Sequence, residues 1–453
     1  MRITVIGMGH LGIVAASALA REGHHVTGVD VDSSRIEGLK KGKVALYEPG
    51  LAILLKEGLS RGNLCFRGTE EFSGDLGDVA LVATGTPSGE GGEAGLSQVI
   101  SALHWIRNLQ PRNTTIVMKS TVPPGSGLAF AQRELKGLDV AYVSNPEFLR
   151  EGRALQDWMH PDRIVAGVEG SSRKSVGVLK NMYAGIEAPY LITDVTSAEM
   201  LKYASNAFLA TRISFVNEMA ALCEEVGASI DAVSQGLAMD ARTGQQIHAG
   251  IGYGGSCFPK DILAIQFLAH AKGMPMDLLH SVAAVNERQR RLPLARLRSR
   301  FPGGLAGVRV GVLGVAFKPG TSDIREAAAV ELIEALDQEG AEVTAFDPQA
   351  NCAAREALPA SVTFCDNPES AAVGVQALVL LTEWDEIVDA DWACIAGAMQ
   401  APRFVFDGRN ALDAGSMVNL GFDYVGVGRR HPDQLSEGLI EFAHNASTFF
   451  RAT

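Results

Sequence analysis

The β-branched run Ile3-Thr4-Val5-Ile6 leads straight into Gly7-Met8-Gly9-His10-Leu11-Gly12 and a small-residue helical stretch that Gly23 ends. A strand that turns through three spaced glycines into a helix leaves few folds open. The first glycine permits the tight turn, the second lets a pyrophosphate approach the backbone, and the third lets helix pack on strand. The next strand, Val26 to Asp30, ends in an acid. A carboxylate at that point bonds a ribose 2′-hydroxyl and repels a 2′-phosphate, so the pattern favours NAD over NADP. Arg35 can serve the adenine face or stand as a solvated helix arginine. His10 occupies the variable part of the fingerprint, where a backbone-contact or solvent role is expected rather than a catalytic one.

Strand and helix patterns alternate through the first third of the chain, which implies a parallel sheet. Val79 to Ala83, Thr115 to Lys119 and Val140 to Val143 are further buried strands. The loops that follow them are Thr84-Gly85-Thr86-Pro87, Ser120-Thr121-Val122-Pro123 and Ser144-Asn145-Pro146-Glu147. The middle is helical. Thr196-Ser197-Ala198-Glu199 reads as a capping box, and a run without Pro or Gly continues to Val226. Its apolar residues fall on several faces, as expected of a helix buried between domains or subunits. Alternation restarts at Val308 with strands at 342–347, 377–381 and 404–406. The expected fold class is α/β: two Rossmann-like, doubly wound parallel-sheet domains joined by a central helical region with a long helix.

The 453 residues require more than one domain, and the formal charge of −12 argues against a nucleic-acid partner. The six cysteines show no CxxC or zinc spacing and the histidines no cluster, so no metal site is assigned. The chain opens on a strand rather than a signal peptide, and no stretch suits a membrane span. These features predict a cytoplasmic protein with no membrane partner.

Cys257, within Gly254-Gly255-Ser256-Cys257-Phe258-Pro259-Lys260-Asp261, has the setting of a nucleophile. A glycine loop precedes it, and a helix start and Lys260 follow it; both favour a thiolate. Lys202 and Asn206 share one face of the long helix and can offer an ammonium and an amide to a substrate oxygen. Glu147 ends a strand where α/β sheets bind ligands, or simply starts a helix. Asp261 orients water, or caps the helix. Lys318, Arg325 and Arg409 follow strands of the second sheet and can meet phosphates or stand as surface cations.

Longer segments join these points: Ser144-Asn145-Pro146-Glu147-Phe148-Leu149-Arg150-Glu151-Gly152, Pro161-Asp162-Arg163-Ile164-Val165, Gly252 to Asp261, and Thr382-Glu383-Trp384. Together they resemble the UDP-glucose/GDP-mannose dehydrogenase family, from Gly7 to Asn410. The resemblance implies an NAD-binding domain at 1–195, a central helical dimerisation domain with the cysteine loop at 196–300, and a UDP-sugar-binding domain at 301–453. It implies four-electron oxidation of UDP-glucose to UDP-glucuronate by two NAD⁺, through a thiohemiacetal and a thioester on Cys257. Lys202 and Glu147 then match the acid/base pair, and Asp261, Asn206 and Thr121 the water and oxyanion network. Gly7, Gly9, His10, Leu11, Gly12, Asp30, Arg35, Thr86, Thr121, Glu151, Lys260 and Arg325 match cofactor contacts. Glu147, Phe148, Leu149, Arg150, Lys202, Asn206, Tyr253, Gly254, Gly255, Phe317, Lys318 and Arg409 match substrate contacts. Arg242 matches an arginine that reaches the neighbouring subunit's substrate, which implies a homodimer. Sister reactions on GDP-mannose or a UDP-N-acetylhexosamine, and a silent nucleotide-sugar and NAD-binding regulator, are the alternatives.

Overall fold

The computed structural model describes residues 1–170 and 173–429; the tail of the expected C-terminal domain, 430–453, lies outside the described residues. The chain divides into two compact units. One comprises Met1–Ala207 with Lys260–Pro275, the other Phe208–Pro259 with the chain from Met276 onward.

The first unit carries β1 (Arg2–Ile6), β2 (His25–Asp30), β3 (Leu64–Gly68), β4 (Val79–Val82), β5 (Arg112–Met118), β6 (Asp139–Ser144), β7 (Ile164–Gly167) and β8 (Tyr190–Thr193). They form one sheet in the order β3-β2-β1-β4-β5-β6-β7-β8. Alternate residues face opposite sides: Ile3, Val5, Val79 and Leu81 enter one core, Ile6, Ala80 and Val82 the other. Strands buried on both faces read as continuous apolar runs, which is why β1 and β4 were visible in the sequence. One expectation needs correction. The sheet is not wholly parallel, because β7 pairs with β6 antiparallel, at Ser144 and Gly167. Between them the chain runs largely as loop, with the short helix Ala154–Met159, rather than the helical crossover that parallel neighbours need.

The second unit carries β9 (Arg309–Leu313), β10 (Glu342–Phe346), β11 (Thr363–Phe364), β12 (Ala377–Leu380), β13 (Phe404–Asp407) and β14 (Asp423–Gly426). All five pairings are parallel, in the order β11-β10-β9-β12-β13-β14. This is the doubly wound order, and it repeats the first six strands of the other sheet. Both units place ligand-facing loops at the strand ends on either side of the order reversal. The core of the second unit includes Val216, Ala220 and Cys223 from the long helix.

That helix spans Val195–Val226. The expected capping box does not form. The Asp194 carboxylate accepts from the Ser197 N–H (2.8 Å), two residues earlier than the pattern suggested. Glu199 instead accepts from the Gly125 and Gly127 N–H groups (2.7 and 2.8 Å), at the start of the helix Ser126–Arg133. The helix is also less buried in the single chain than its composition implied: Phe208, Phe215 and Leu222 are 65%, 50% and 54% exposed. No helix among the described residues is long and apolar enough to cross a membrane.

Burial pushes the Glu199 carboxyl up to about 7, against the pull of its two N–H donors. Between its ordinary value and that point the folded chain holds a proton that the unfolded chain releases, so this group's contribution falls as pH rises. Glu199→Gln removes the titration. Relative to wild type its Tm is expected to rise by a few degrees between about pH 5 and pH 8 in thermal melts; parallel pH curves would refute the coupling.

Candidate active site

The glycine turn of the first unit is built by backbone constraint. Gly7 has φ +93°, and a Cβ there would meet the Thr84 backbone at 2.9 Å. A Cβ on Gly12 would fall 1.8 Å from the Gly7 carbonyl oxygen. Gly9 differs: it has φ −72° at the helix N-terminus, and nothing lies within 4 Å of a Cβ placed on it. The turn is therefore closed on the protein side and open at its centre, which fits the approach of a pyrophosphate to the N–H groups of the helix His10–Arg21.

Asp30 is buried and ties this turn together. Its Oδ2 accepts from the Met8 N–H (2.6 Å) and from Arg35 Nη1 (3.0 Å), and its Oδ1 from the Asp32 N–H (2.9 Å). Arg35 also lies 3.4 Å from Asp32, so both acids hold its guanidinium. Carboxylate lone pairs remain for ribose hydroxyls. Thr84, in the loop after β4, has a buried Oγ1 without a hydrogen-bond partner, and Thr86 beside it is buried. His10 faces the protein: its Nε2 is 3.1 Å from Glu48 Oε2. Leu11 packs at the edge of the core below. Glu48 is itself buried and accepts from the Gly152 and Ala154 N–H groups (both 2.7 Å), which fixes the chain just beyond Glu151.

The loop after β6 carries the second cluster. Lys202 Nζ donates to Glu147 Oε1 (3.1 Å), with the side chains only 5% and 11% exposed. The Leu149 N–H donates to Glu147 Oε2 (2.5 Å). Burial pushes the Glu147 carboxyl up, but the Lys202 charge, the Leu149 N–H and the Lys119 charge together hold it below its ordinary value. It is a carboxylate at neutral pH. Phe148 lies between two cations, 3.9 Å from the Arg163 guanidinium and 5.5 Å from Lys202 Nζ. Arg150 is held by Asp157 through Nε (2.9 Å) and Nη2 (2.6 Å).

One turn along the long helix, Asn206 Nδ2 donates to Asp261 Oδ2 (2.6 Å), and Lys260 Nζ donates to Asp261 Oδ1 (2.5 Å). Asp261 lies in the first turn of the helix Phe258–Ala271. Its carboxylate therefore orients an amide rather than capping its own helix. Thr121 is half-buried in the loop after β5.

In the second unit, the loop 250–257 is held from both sides. Asn286 accepts from the Tyr253 N–H (2.7 Å) and donates to the Tyr253 carbonyl (3.0 Å). Gly254 and Gly255 are needed for close approach: a Cβ would meet the Glu326 carbonyl at 2.1 Å and the Phe317 ring at 2.6 Å. Arg409 reaches the same place, donating from Nη2 to the Phe317 carbonyl (2.8 Å) and from Nε to the Leu381 carbonyl (2.7 Å). Lys318 Nζ lies 5.4 Å from the Phe317 ring. Cys257 closes the loop, half-buried, with its Sγ 3.7 Å from Ser256 Oγ. Two arginines of the expected site are held by neighbouring acids. Arg325 pairs with Asp323, and the exposed Arg242 pairs with Asp240.

The structure thus joins Glu147, Phe148 and Lys202, joins Asn206, Lys260 and Asp261, and joins Tyr253, Gly254, Gly255, Phe317, Lys318 and Arg409. Sequence reasoning missed Glu48, Asn145 and Lys119. Each is a polar residue whose partners are distant in sequence; a lysine directly after the apolar run Ile116-Val117-Met118 was the available signal for Lys119.

A doubly wound sheet with an open glycine turn, beside a buried ammonium–carboxylate pair, defines a dinucleotide-dependent dehydrogenase. Comparison with known proteins agrees. Profiles of the UDP-glucose/GDP-mannose dehydrogenase family match residues 1–187 (NAD binding domain), 196–288 (central domain) and 311–414 (UDP binding domain). The chain is 39% identical to the UDP-glucose 6-dehydrogenase YwqF of Bacillus subtilis, over 95% of this chain and 98% of that one. It is 41% identical to the UDP-glucose 6-dehydrogenase of Pseudomonas aeruginosa, with coverages of 95% and 98%. A solved UDP-glucose dehydrogenase from Pyrobaculum islandicum superposes with a TM-score of 0.86, at 36% identity, over 94% of this chain and 98% of that one. The chain belongs to the UDP-glucose/GDP-mannose dehydrogenase family, and NAD is its cofactor.

The two glycines separate folding from cofactor binding. Gly9→Ala has an allowed backbone and no clash, so its Tm should match wild type while NAD affinity falls at least about tenfold. Gly12→Ala should cost about 3 kcal/mol or more of stability. Calorimetric titration with NAD⁺ and thermal melts check both; unchanged affinity in Gly9→Ala would contradict the open-turn reading.

Proposed function

We propose that the protein oxidises UDP-glucose to UDP-glucuronate, consuming two NAD⁺ and one water. The observation that carries this reading is the buried Lys202–Glu147 pair, set beside an amide–carboxylate pair on the same helix face. NAD⁺ supplies the chemistry of hydride acceptance, twice, from C6 of the sugar. The protein must do the rest. The Lys202–Glu147 pair takes the proton that the C6 hydroxyl loses. Cys257 then adds its sulfur to the aldehyde carbon, giving a thiohemiacetal with a C–H still to lose. Loss of the second hydride leaves a thioester. Lys202 and Asn206 stabilise the oxyanion that forms at each addition, and Asp261 with Thr121 orients the hydrolytic water. Hydrolysis releases the carboxylate and restores the thiol.

Recognition of the UDP group is assigned to the second unit, to Tyr253, Gly254, Gly255, Phe317, Lys318 and Arg409, whose cations suit a diphosphate. The exposed stripe of Phe208, Phe215 and Leu222 is the surface we assign to a homodimer, with Arg242 serving the partner's substrate.

Two NADH per UDP-glucose are expected from wild type in a spectrophotometric assay. Cys257→Ala should lower overall turnover by at least about 10³-fold and stop at the aldehyde, which a hydrazide reagent captures. A variant that still yields two NADH at near-normal rate would refute the covalent route. Faster oxidation of GDP-mannose or a UDP-N-acetylhexosamine than of UDP-glucose would instead move the substrate assignment to a sister reaction.

A further inference from the structure

Lys119 stands one residue beyond β5 and is 5% exposed. It lines a cleft together with Glu147 and Phe148. Its Nζ donates to Asn145 Oδ1 (3.0 Å), an oxygen that also accepts from the Tyr183 hydroxyl (2.8 Å). Asn145 Nδ2 donates in turn to the Val165 carbonyl (2.7 Å). The indole of Trp158 and the ring of Tyr183 lie 5.1 and 5.6 Å from Nζ. Among the described residues no carboxylate lies within ion-pair distance of this nitrogen.

We propose that Lys119 is a positioning residue for the Glu147–Lys202 pair: it grips the peptide two residues before Glu147 through Asn145, and its charge sets the field in which Glu147 works. The proposal rests on the reading of Glu147 and Lys202 as the acid/base pair.

Packing alone does not account for a lysine here. A buried ammonium with only neutral partners costs stability, and a methionine would fill the same space without that cost. The lysine's electrostatic neighbours are the two groups of the pair. Burial lowers its pKa to about 7, with the Glu147 charge pulling up and the Lys202 charge pushing down. Lys119 in turn helps hold the Glu147 carboxyl below its ordinary value. The other titratable groups around it are Tyr183, which burial keeps neutral, and Arg150, Asp157, His160, Asp162 and Arg163 on the cleft wall. Near neutral pH the pair therefore meets a neighbour whose charge is changing.

Three readouts on the full-length protein separate this from a structural role. Lys119→Met should keep or raise Tm, because an uncompensated buried charge is removed. It should lower kcat at least tenfold while the KM for the sugar nucleotide changes less than threefold. In protein labelled with carboxyl-¹³C glutamate, the Glu147 midpoint should move up in Lys119→Met and stay low in Lys119→Arg, which keeps the charge. Wild type itself should show a second, small step of the Glu147 resonance near pH 7, absent from both variants; this holds even if Lys119→Met fails to fold. A Glu147 resonance with no step in wild type, or a Lys119→Met protein with unchanged kcat and midpoint, overturns the proposal. Should wild type turn over no nucleotide sugar, the functional reading falls, while the Glu147 titration still decides the role of Lys119.

Discussion

Each sheet depends on a carboxylate at the end of its second strand. Asp30 closes the turn after β1 by accepting from the Met8 N–H. Asp347 does the same after β9, accepting from Val315 and Ala316 N–H groups at 2.8 and 2.9 Å. In both turns a glycine with φ near +90° (Gly7 at +93°, Gly314 at +86°) bonds the preceding residue of that second strand, through Val29 and Phe346 carbonyls. Without these acids the turns would leave buried N–H groups unsatisfied, at roughly 1–3 kcal/mol each. The turns then diverge. Asp30 takes Arg35 as a partner, whereas Asp347 takes the indole N–H of Trp384 (3.1 Å). One frame thus offers a charged rim and the other an aromatic wall.

On that frame the first unit buries a set of ionised and amide groups. Lys202, Glu147, Asn206 and Asp261 are nearly inaccessible, and each ionised group among them must be matched by its neighbours to remain so. The match is made in pairs. Glu147 has Lys202 and the Leu149 N–H; Asp261 has Asn206 and Lys260. Because Lys202 and Asn206 are one turn apart on a continuous helix, their spacing is set by the backbone rather than by flexible loops. This is the rigidity that the oxyanion role we propose for them requires.

What the sequence revealed followed from local rules. The glycines at 7, 9 and 12 and the acid at 30 are constrained by turn geometry within a short stretch, and Lys202 and Asn206 by helical periodicity. The cysteine loop was legible because Gly254 and Gly255 announce a tight backbone. What stayed hidden was long-range. Thr196 to Glu199 has the letters of a capping box, yet Glu199 is drawn away by Gly125 and Gly127, more than seventy residues earlier. Lys119 read as the end of a strand, since nothing near it in sequence hints at Asn145, Trp158 and Tyr183. The antiparallel entry of β7 was invisible because Ile164–Gly167 is short and its pairing is decided by the path of the loop before it. The hold of Asp323 on Arg325, two residues away, was likewise not foreseen.

The carboxylate of Glu48 shows what such hidden partners do. It serves His10 at the head of the glycine-turn helix and two N–H groups at Gly152 and Ala154, so three separate stretches of chain meet at one pair of oxygens. Their energies are then a shared quantity. Removing any one contact leaves the others to readjust, and losses measured singly will not sum to the loss of the whole. The dinucleotide turn and the strand-end loop that bears Glu147 are, in this sense, a single mechanical part.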